Sequence, residues 1–116
     1  MPSLPRLAKR ECSLSTVGNR LVIAGHFDIS QFRRALAQLR ELVDQRGYQD
    51  VRLDFSGCTF THAPPVLALA TATHEYRTQD IGFELILPED DKVERLFRNS
   101  NWANICLLYT SPSPRD

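Results

Sequence analysis

The stretch that most constrains the fold runs from Val51 to Leu67, where a short apolar segment passes through a polar loop into a second apolar segment. Residues 51–55 have the length and character of a buried strand, and Pro64 and Pro65 open a segment with helical spacing. Proline is tolerated in the first turn of a helix, because the N–H that it lacks would have no partner there. A strand that leads directly into a helix predicts a small α/β fold.

The composition indicates one globular domain. Of the 116 residues, 42% are hydrophobic, and 14 basic side chains balance 14 acidic ones. Nucleic-acid binders usually carry a basic stripe, so no nucleic-acid partner is expected. No apolar run has the length of a membrane span, so no membrane insertion is expected. The three cysteines have no paired spacing, which argues against a disulfide framework or zinc site and favours a reducing cytoplasm.

The two ends of the chain are set apart from this domain. Residues 1–10 form a proline-containing lead, and the folded domain is expected over residues 11–105. Residues 106–116 read CLLYTSPSPRD, a string similar to a translated sequencing-library adapter. We therefore expect this tail to be non-native and the natural protein to continue differently past Ile105, and the fold prediction leaves the tail out.

Hydrophobic periodicity predicts the element order β-β-α-β-α-β-α. Strands are predicted over residues 11–17, 20–27, 51–55 and 83–87, with a tight hairpin at Gly18-Asn19. The first helix begins after Asp28 or Ser30 and ends at Gly47, the second spans residues 64–77, and the third begins after Asp90 or Asp91. Strands separated by helices imply parallel crossovers, so we expect a mixed four-stranded sheet with helices mainly on one face.

Three strings in this order of elements resemble the STAS domain, the fold of anti-sigma factor antagonists and of the cytoplasmic ends of sulfate transporters. GHFD at residues 25–28 is similar to the family's Gly-x-Leu-Asp, which ends a strand. LDFSGCTF at residues 53–60 is similar to Leu-Asp-Leu-Ser-x-Val-x-Phe, and KVERLF at residues 92–97 resembles the helix after the last core strand. The resemblance covers about residues 11–105 and implies a STAS-like fold with a non-enzymatic, protein-binding role in bacterial signalling.

The chain departs from this family where partner-switching members are phosphorylated. Their loop carries Asp-Ser-Ser-Gly or a close variant, whereas this chain has His62-Ala63-Pro64-Pro65. Ala63 and Pro64 have no hydroxyl, so they form a degenerate phosphoacceptor position, and the negative charge that phosphate would add is lost. Thr59 and Thr61 stay open as substitute hydroxyls. The paired prolines predict a fixed site, either a constitutive docking surface or a purely structural one.

The resemblance implies that this loop and the following helix start form a docking face. The residues predicted to bind a partner are Asp28, Phe60, Thr61, His62, Ala63, Pro65 and Val66. The implied partner is an anti-sigma factor, a kinase or a fused ATPase domain, because residues 96–104 resemble the joint that precedes a histidine-kinase-type ATPase domain. No cofactor is expected. Trp102 is predicted either to anchor a partner or to cover the end of the core.

Other functions stay open at this stage: a nucleotide-binding STAS domain, a structural packing domain for a missing C-terminal region, or an enzyme of unrecognised type. Asp28 and Asp54 could meet at one sheet edge as an acid pair. Helix capping by Asp28 and turn formation by Asp54 explain both residues more simply. Cys58 has no neighbouring positive charge in the sequence, so it is interpreted as a small buried side chain. The three histidines lack the spacing of metal ligands.

Overall fold

A computed structural model describes residues 11–99 and 108–110, so Trp102 lies outside the described part of the chain. The strands are β1 Cys12–Val17, β2 Arg20–His26, β3 Asp50–Asp54, β4 Cys58–Phe60, β5 Gly82–Ile86 and β6 Leu108–Thr110. The helices are α1 Ile29–Arg40, α2 Ala63–Arg77 and α3 Asp91–Asn99. The predicted order of elements is found, and β4 and β6 are additional.

The strands form one mixed sheet in the order β1-β2-β3-β5-β6, with β4 also paired to β2. The hairpin β1–β2 is antiparallel, and its two-residue turn uses the left-handed conformation of Gly18 (φ +59°). All other strand pairs are parallel. A mixed α/β sheet was predicted and is confirmed, but the predicted number of four strands was too low, since the described residues form six.

The strand β4 was predicted as loop. Its three residues are too few to show an alternating pattern, and only a neighbour in space identifies them as a strand. β3 pairs with the first half of β2, up to Val22, and β4 then pairs with Gly25 and His26. The main-chain N–H of Phe27 donates to the carbonyl oxygen of Phe60 at 2.9 Å and extends this pairing. β2 is therefore held on one side by two strands in succession.

The strand β6 lies within the tail, residues 106–116, that is expected to be non-native. Leu108–Thr110 pairs in parallel with β5, with Glu84 opposite Leu108. The outer edge of β5 offers main-chain donors and acceptors that any extended segment can meet, so this pairing does not depend on a particular side-chain sequence. The origin of residues 106–116 stays a prediction.

Helices cover one face of the sheet, as predicted. Along β2, β3 and β5 the buried apolar side chains alternate with half-buried or exposed ones, and they all lie on the same face. α1 packs on β1 and β2, while α2 packs on β5 and on α1. The opposite face, here called the open face, carries the ion pairs Arg20–Asp54 (3.4 Å) and Arg52–Glu84 (3.0 Å).

The first helix begins where the sequence predicted and ends with a widened turn. Asp28 is its N-cap, since its Oδ1 accepts from the main-chain N–H of Ser30 at 3.0 Å. After Arg40 the chain makes a π-helical turn, Glu41–Gln45, in which the adjacent residues Leu42 and Val43 are both buried. Gly47 then adopts φ +74°, which agrees with the predicted end of the helix.

Phe55, directly after β3, connects the core side chains that follow β2 with those of α3. Its side chain is fully buried, and its ring lies 4.6 Å from that of Phe97 on α3 and 5.9 Å from that of Phe27 after β2. Edge-on and tilted aromatic pairs of this kind add to the stabilisation from burial. The packing of α3 on the sheet therefore depends on this ring.

We expect Phe55→Ala to lower the free energy of unfolding by about 3–5 kcal/mol, because it removes a buried ring and leaves a cavity between three elements. Val17→Ala is the matched control, since the Val17 side chain is 65% exposed and its truncation should change stability by less than about 0.5 kcal/mol. Urea unfolding followed by circular dichroism measures both. Equal losses in the two variants would contradict this account of the core.

Candidate functional site

Two helix N-termini meet at one end of the sheet. β2 leads into α1 through Phe27 and Asp28, and β4 leads into α2 through Thr61 and His62. Because β2 and β4 are parallel neighbours, their carboxyl ends lie at the same edge. In open α/β sheets, ligands and partners are commonly bound outside the carboxyl ends of the strands. We therefore expect a binding site, if the domain has one, at the carboxyl ends of β2 and β4.

A β-bulge decides which side chains reach the surface there. Gly25 is opposite Cys58 and His26 is opposite Phe60, so β4 holds one extra residue, Thr59, between two consecutive positions of β2. A bulge of this kind re-aims the side chains that follow it. Cys58 consequently points into the core, where it is 1% exposed, while Phe60 lies with His26 on the open face and is 45% exposed.

Three aromatic rings stack in sequence at this point. The rings of His26 and Phe60 are 4.4 Å apart with an interplanar angle of 21°, and those of Phe60 and His62 are 6.0 Å apart at 29°. We call His26, Phe60 and His62 the aromatic column. The Nε2 atom of His26 also lies 3.7 Å from Oδ2 of Asp28, so a carboxylate stands beside the inner ring. The central phenyl ring is thus held in place while much of it remains accessible.

The structure divides the predicted docking residues into two groups. Phe60, His62 and Ala63 are exposed, and Asp28 is partly exposed. Thr61, Pro65 and Val66 are buried in the core and cannot touch a partner in this conformation. These three residues were included because they are adjacent in sequence to the loop. They support the exposed residues from beneath.

Sequence reasoning missed three residues at the same sheet end, namely the half-buried His26 and the exposed Ile29 and Leu67. His26 was passed over although it alternates with the buried residues of β2, which places it on the open face. Ile29 and Leu67 follow at the starts of α1 and α2 and are 52% and 47% exposed. Ile29 is the first residue of its helix and could have been recognised from the Asp28 cap. The exposure of Leu67 required the packing direction of α2.

The two acidic residues considered as a pair have separate, local partners. Asp28 accepts from both the N–H and the hydroxyl of Ser30, the latter at 2.5 Å. Asp54 accepts from the N–H of Ser56 at 2.9 Å and from its hydroxyl at 2.7 Å, and it also pairs with Arg20. Capping by Asp28 and turn formation by Asp54 were predicted and are confirmed. Each carboxylate is therefore engaged by residues near it, and the two do not form an acid pair.

The pKa of Asp28 is lower than that of an ordinary aspartate. The main cause is the hydrogen bond from the Ser30 hydroxyl, and the main-chain N–H of Ser30 and the nearby His26 ring lower the pKa further, against some desolvation. Hydrogen bonds to the charged form favour ionisation. Asp28 is therefore a carboxylate across the neutral range, and it gives this sheet end a fixed negative charge.

The start of α2 offers few donors to an anion. Pro64 and Pro65 occupy its first turn, so two of its first four residues lack an N–H, and the N-cap His62 makes no side-chain cap. The Thr61 hydroxyl is buried and has no hydrogen-bond partner among the described residues. Of the hydroxyls considered as substitute phosphoacceptors, Thr59 is exposed and Thr61 is only 6% exposed.

The Cys58 thiol is expected to be unreactive. Burial raises the pKa of its thiol to about 12, and the Sγ atom donates to the carbonyl oxygen of Phe60 at 3.4 Å. Burial also raises the pKa of the half-buried Cys12. Nucleophilic attack requires the thiolate, so neither thiol is activated. Over residues 11–99 and 108–110, no three His, Cys, Asp or Glu side chains are grouped as metal ligands would be.

A separate cleft of about 510 Å³ lies at the opposite end of the sheet. It is lined by the starts of β3 and β5, and two of its charged residues, Arg52 and Glu84, are paired with each other at 3.0 Å. Asn19 there donates to the carbonyl oxygen of Asp50 at 2.8 Å. Because Arg52 and Glu84 engage each other, whereas the aromatic column exposes a large apolar ring, we assign the candidate site to the aromatic column.

No protein-family model matches the chain, and no curated protein or solved structure is significantly similar to it. In the part of the chain that the structure describes, no helix has both the length and the apolar character to cross a membrane.

The charge on Asp28 should make part of the stability depend on pH. Because the folded pKa lies below the unfolded one, this stabilisation is present above the unfolded value of about 3.9 and is lost as pH falls through the folded pKa. Asp28→Asn keeps a capping oxygen but not the charge. The stability difference between wild type and Asp28→Asn should therefore shrink as urea unfolding is repeated from pH 7 towards pH 3.

Asp28→Ala serves as the comparison, because it removes the cap together with the charge and should cost about 1 kcal/mol at pH 7. A wild-type advantage over Asp28→Asn that stayed constant down to pH 3 would contradict the charge assignment.

Cys58 should resist alkylation in the native protein. With a pKa of about 12 and a buried Sγ atom, its thiolate is scarce and inaccessible near pH 8. In a Cys106→Ser variant treated with iodoacetamide, mass spectrometry should find Cys58 unmodified until denaturant is added, and Cys12 modified more readily than Cys58. Rapid native labelling of Cys58 would show that this part of β4 opens.

Proposed function

We propose that this protein is a non-enzymatic interaction module that docks a protein partner at the carboxyl end of its sheet. The docking face consists of the aromatic column together with Ile29 and Leu67. The observation that carries the proposal is the central ring of that column, since Phe60 is 45% exposed although it is one of the largest apolar side chains of the domain. A phenyl ring left accessible in a small domain is suited to bury itself against a partner.

The stacking makes this ring a good anchor. Binding normally costs the free energy of immobilising flexible side chains, and a ring already held against another ring loses less freedom on association. His26 supports one side of Phe60, and Asp28 in turn lies 3.7 Å from His26. The column is therefore preorganised without being buried, which favours recognition of an apolar or aromatic group on the partner.

The docking face is proposed to be constitutive. Ala63 and Pro64 stand at the exposed start of α2 and offer no hydroxyl for phosphate. Two prolines in the first helical turn also limit the conformations of the loop. A phosphate switch would need both a hydroxyl and donors to receive the charge. Docking would then be controlled by the presence of the partner rather than by modification of this loop.

The wider proposal is a STAS-like module of bacterial cytoplasmic signalling. It is supported by the three strings that resemble that family and by the order of strands and helices. The proposed partner is an anti-sigma factor, a kinase or a histidine-kinase-type ATPase domain downstream of Ile105 in the natural protein. If the partner is a fused ATPase domain, the module would act within one chain. The docking contact and the alternative role of packing against a C-terminal region would then be one and the same contact.

The docking face can be tested by site-specific photo-crosslinking followed by affinity measurement. A photoreactive amino acid at the exposed position 62 would covalently trap a bound protein in extracts of the source cells, and mass spectrometry would identify it. The trapped protein would then be purified and titrated calorimetrically. Phe60→Ala should weaken its binding by about 30-fold or more, which corresponds to the loss of about 2 kcal/mol typical of an aromatic hot spot.

Val17→Ala is the matched control, because Val17 is also an exposed apolar residue but lies at the far end of β1. It should bind the partner as the wild type does. If Phe60→Ala and Val17→Ala bound with equal affinity, the aromatic column would not be the docking site.

A further inference from the structure

The edge strand β1 carries none of the usual protections against pairing with another strand. β1 forms one side of the sheet, and among the described residues only β2 pairs with it. Natural edge strands are commonly blocked by charged side chains, prolines or bulges. The sequence CSLSTV contains no charge and no proline, and all six residues pair with β2 in unbroken register.

The hydrogen-bond pattern shows which main-chain groups face outward. In an antiparallel pair, residues alternate between those that bond to the neighbouring strand and those that point away from it. The N–H of His26 donates to the carbonyl oxygen of Glu11 at 2.8 Å, so Ser13, Ser15 and Val17 bond inward by the same alternation. The N–H and C=O groups of Cys12, Leu14 and Thr16 therefore point outward.

We propose that β1 pairs with β1 of a second copy of this chain, antiparallel and centred on Leu14. This arrangement sets Leu14 opposite Leu14, Cys12 opposite Thr16, and Ser13 opposite Ser15. All three outward N–H groups of each strand then find a carbonyl acceptor on the other copy. Every pair joins residues of similar size on the same face of the sheet, and no two like charges meet.

A second copy fits this edge better than a foreign strand. β1 has no charge that could select an acidic or basic partner, and the chain as a whole has a net charge of zero, so two copies do not repel each other. Leu14 packs against the core from the edge strand and is only half-buried. In the pair, the Leu14 of the other copy covers it.

The helix layer also allows the pair. α1 contacts both β1 and β2 and thus lies above the edge of the sheet. With strands about 4.8 Å apart, the α1 helices of two copies would lie roughly 10 Å apart, which is an ordinary helix-packing distance.

The oligomeric state of the full chain tests this proposal. In sedimentation equilibrium, the average mass should rise above 13.2 kDa as the concentration increases. Thr16→Pro removes an outward N–H but no inward one, so it should weaken association at least tenfold while circular dichroism shows an intact fold. Thr16→Val keeps the N–H and should associate as the wild type does. A wild type that stays monomeric at all concentrations would overturn the proposal.

Disulfide trapping provides a test that does not require proline to be tolerated. In a Cys106→Ser background, Thr16→Cys places a new thiol opposite Cys12 of the other copy, at the Cα separation of about 5.5 Å that a disulfide accepts. Ser15→Cys places one opposite Ser13, where there is no thiol. Mild oxidation should give a covalent dimer from Thr16→Cys alone. Equal crosslinking of the two variants, or none in Thr16→Cys, would overturn the proposed register.

Discussion

The pairing of β2 with two strands in succession is the constraint on which the rest of the structure depends. β3 occupies the side of β2 as far as Val22, and β4 occupies it at Gly25 and His26. This succession holds the loop after β3 against the sheet and fixes the direction in which the chain enters α2. It also introduces the bulge that separates Cys58 from Phe60. Without the second pairing, residues 58–62 would form an ordinary surface loop.

The same bulge places Cys58 in the core and Phe60 on the proposed docking face. It sends Cys58 into the core, where burial raises the pKa of the thiol to about 12, and it brings Phe60 onto the open face beside His26. The fold thus gains a buried small side chain and an exposed, supported aromatic ring from one extra residue. An aromatic ring held in this way is an ordinary means by which a small domain presents an anchor to a partner.

The domain exposes two kinds of surface that a partner could cover. At the carboxyl end of the sheet they are the exposed apolar side chains of Phe60, Ile29 and Leu67. Along β1 they are main-chain donors and acceptors that lie in a charge-free strand. β1 offers its main-chain groups at the edge of the sheet, whereas the aromatic column lies on the open face of the neighbouring strands β2 and β4. A two-fold pair would then present two docking faces, and a partner with two matching sites would bind it more tightly than a single domain.

Short sequence signals correctly predicted the helix caps and turns, because these depend only on residues that are adjacent in the chain. The cap at Asp28, the hairpin turn at Gly18-Asn19, the helix end at Gly47 and the cap at Asp90 were each read from a few adjacent residues and are found. The same holds for the mixed sheet, because strands that alternate with helices favour parallel crossovers, whereas a two-residue turn joins antiparallel strands. The strand count was too low because β4 and β6 are three residues long and show no period.

What the sequence by itself determined is therefore the order of the elements, their caps and turns, and the lack of a hydroxyl at Ala63 and Pro64. Only the tertiary structure decided which residues of the predicted docking face reach the surface. It buried Thr61, Pro65 and Val66, exposed Ile29 and Leu67, and stacked the half-buried His26 on Phe60. The reason is physical: caps and turns depend on neighbours along the chain, whereas exposure depends on strand register and helix direction, which are fixed by contacts between residues far apart in sequence.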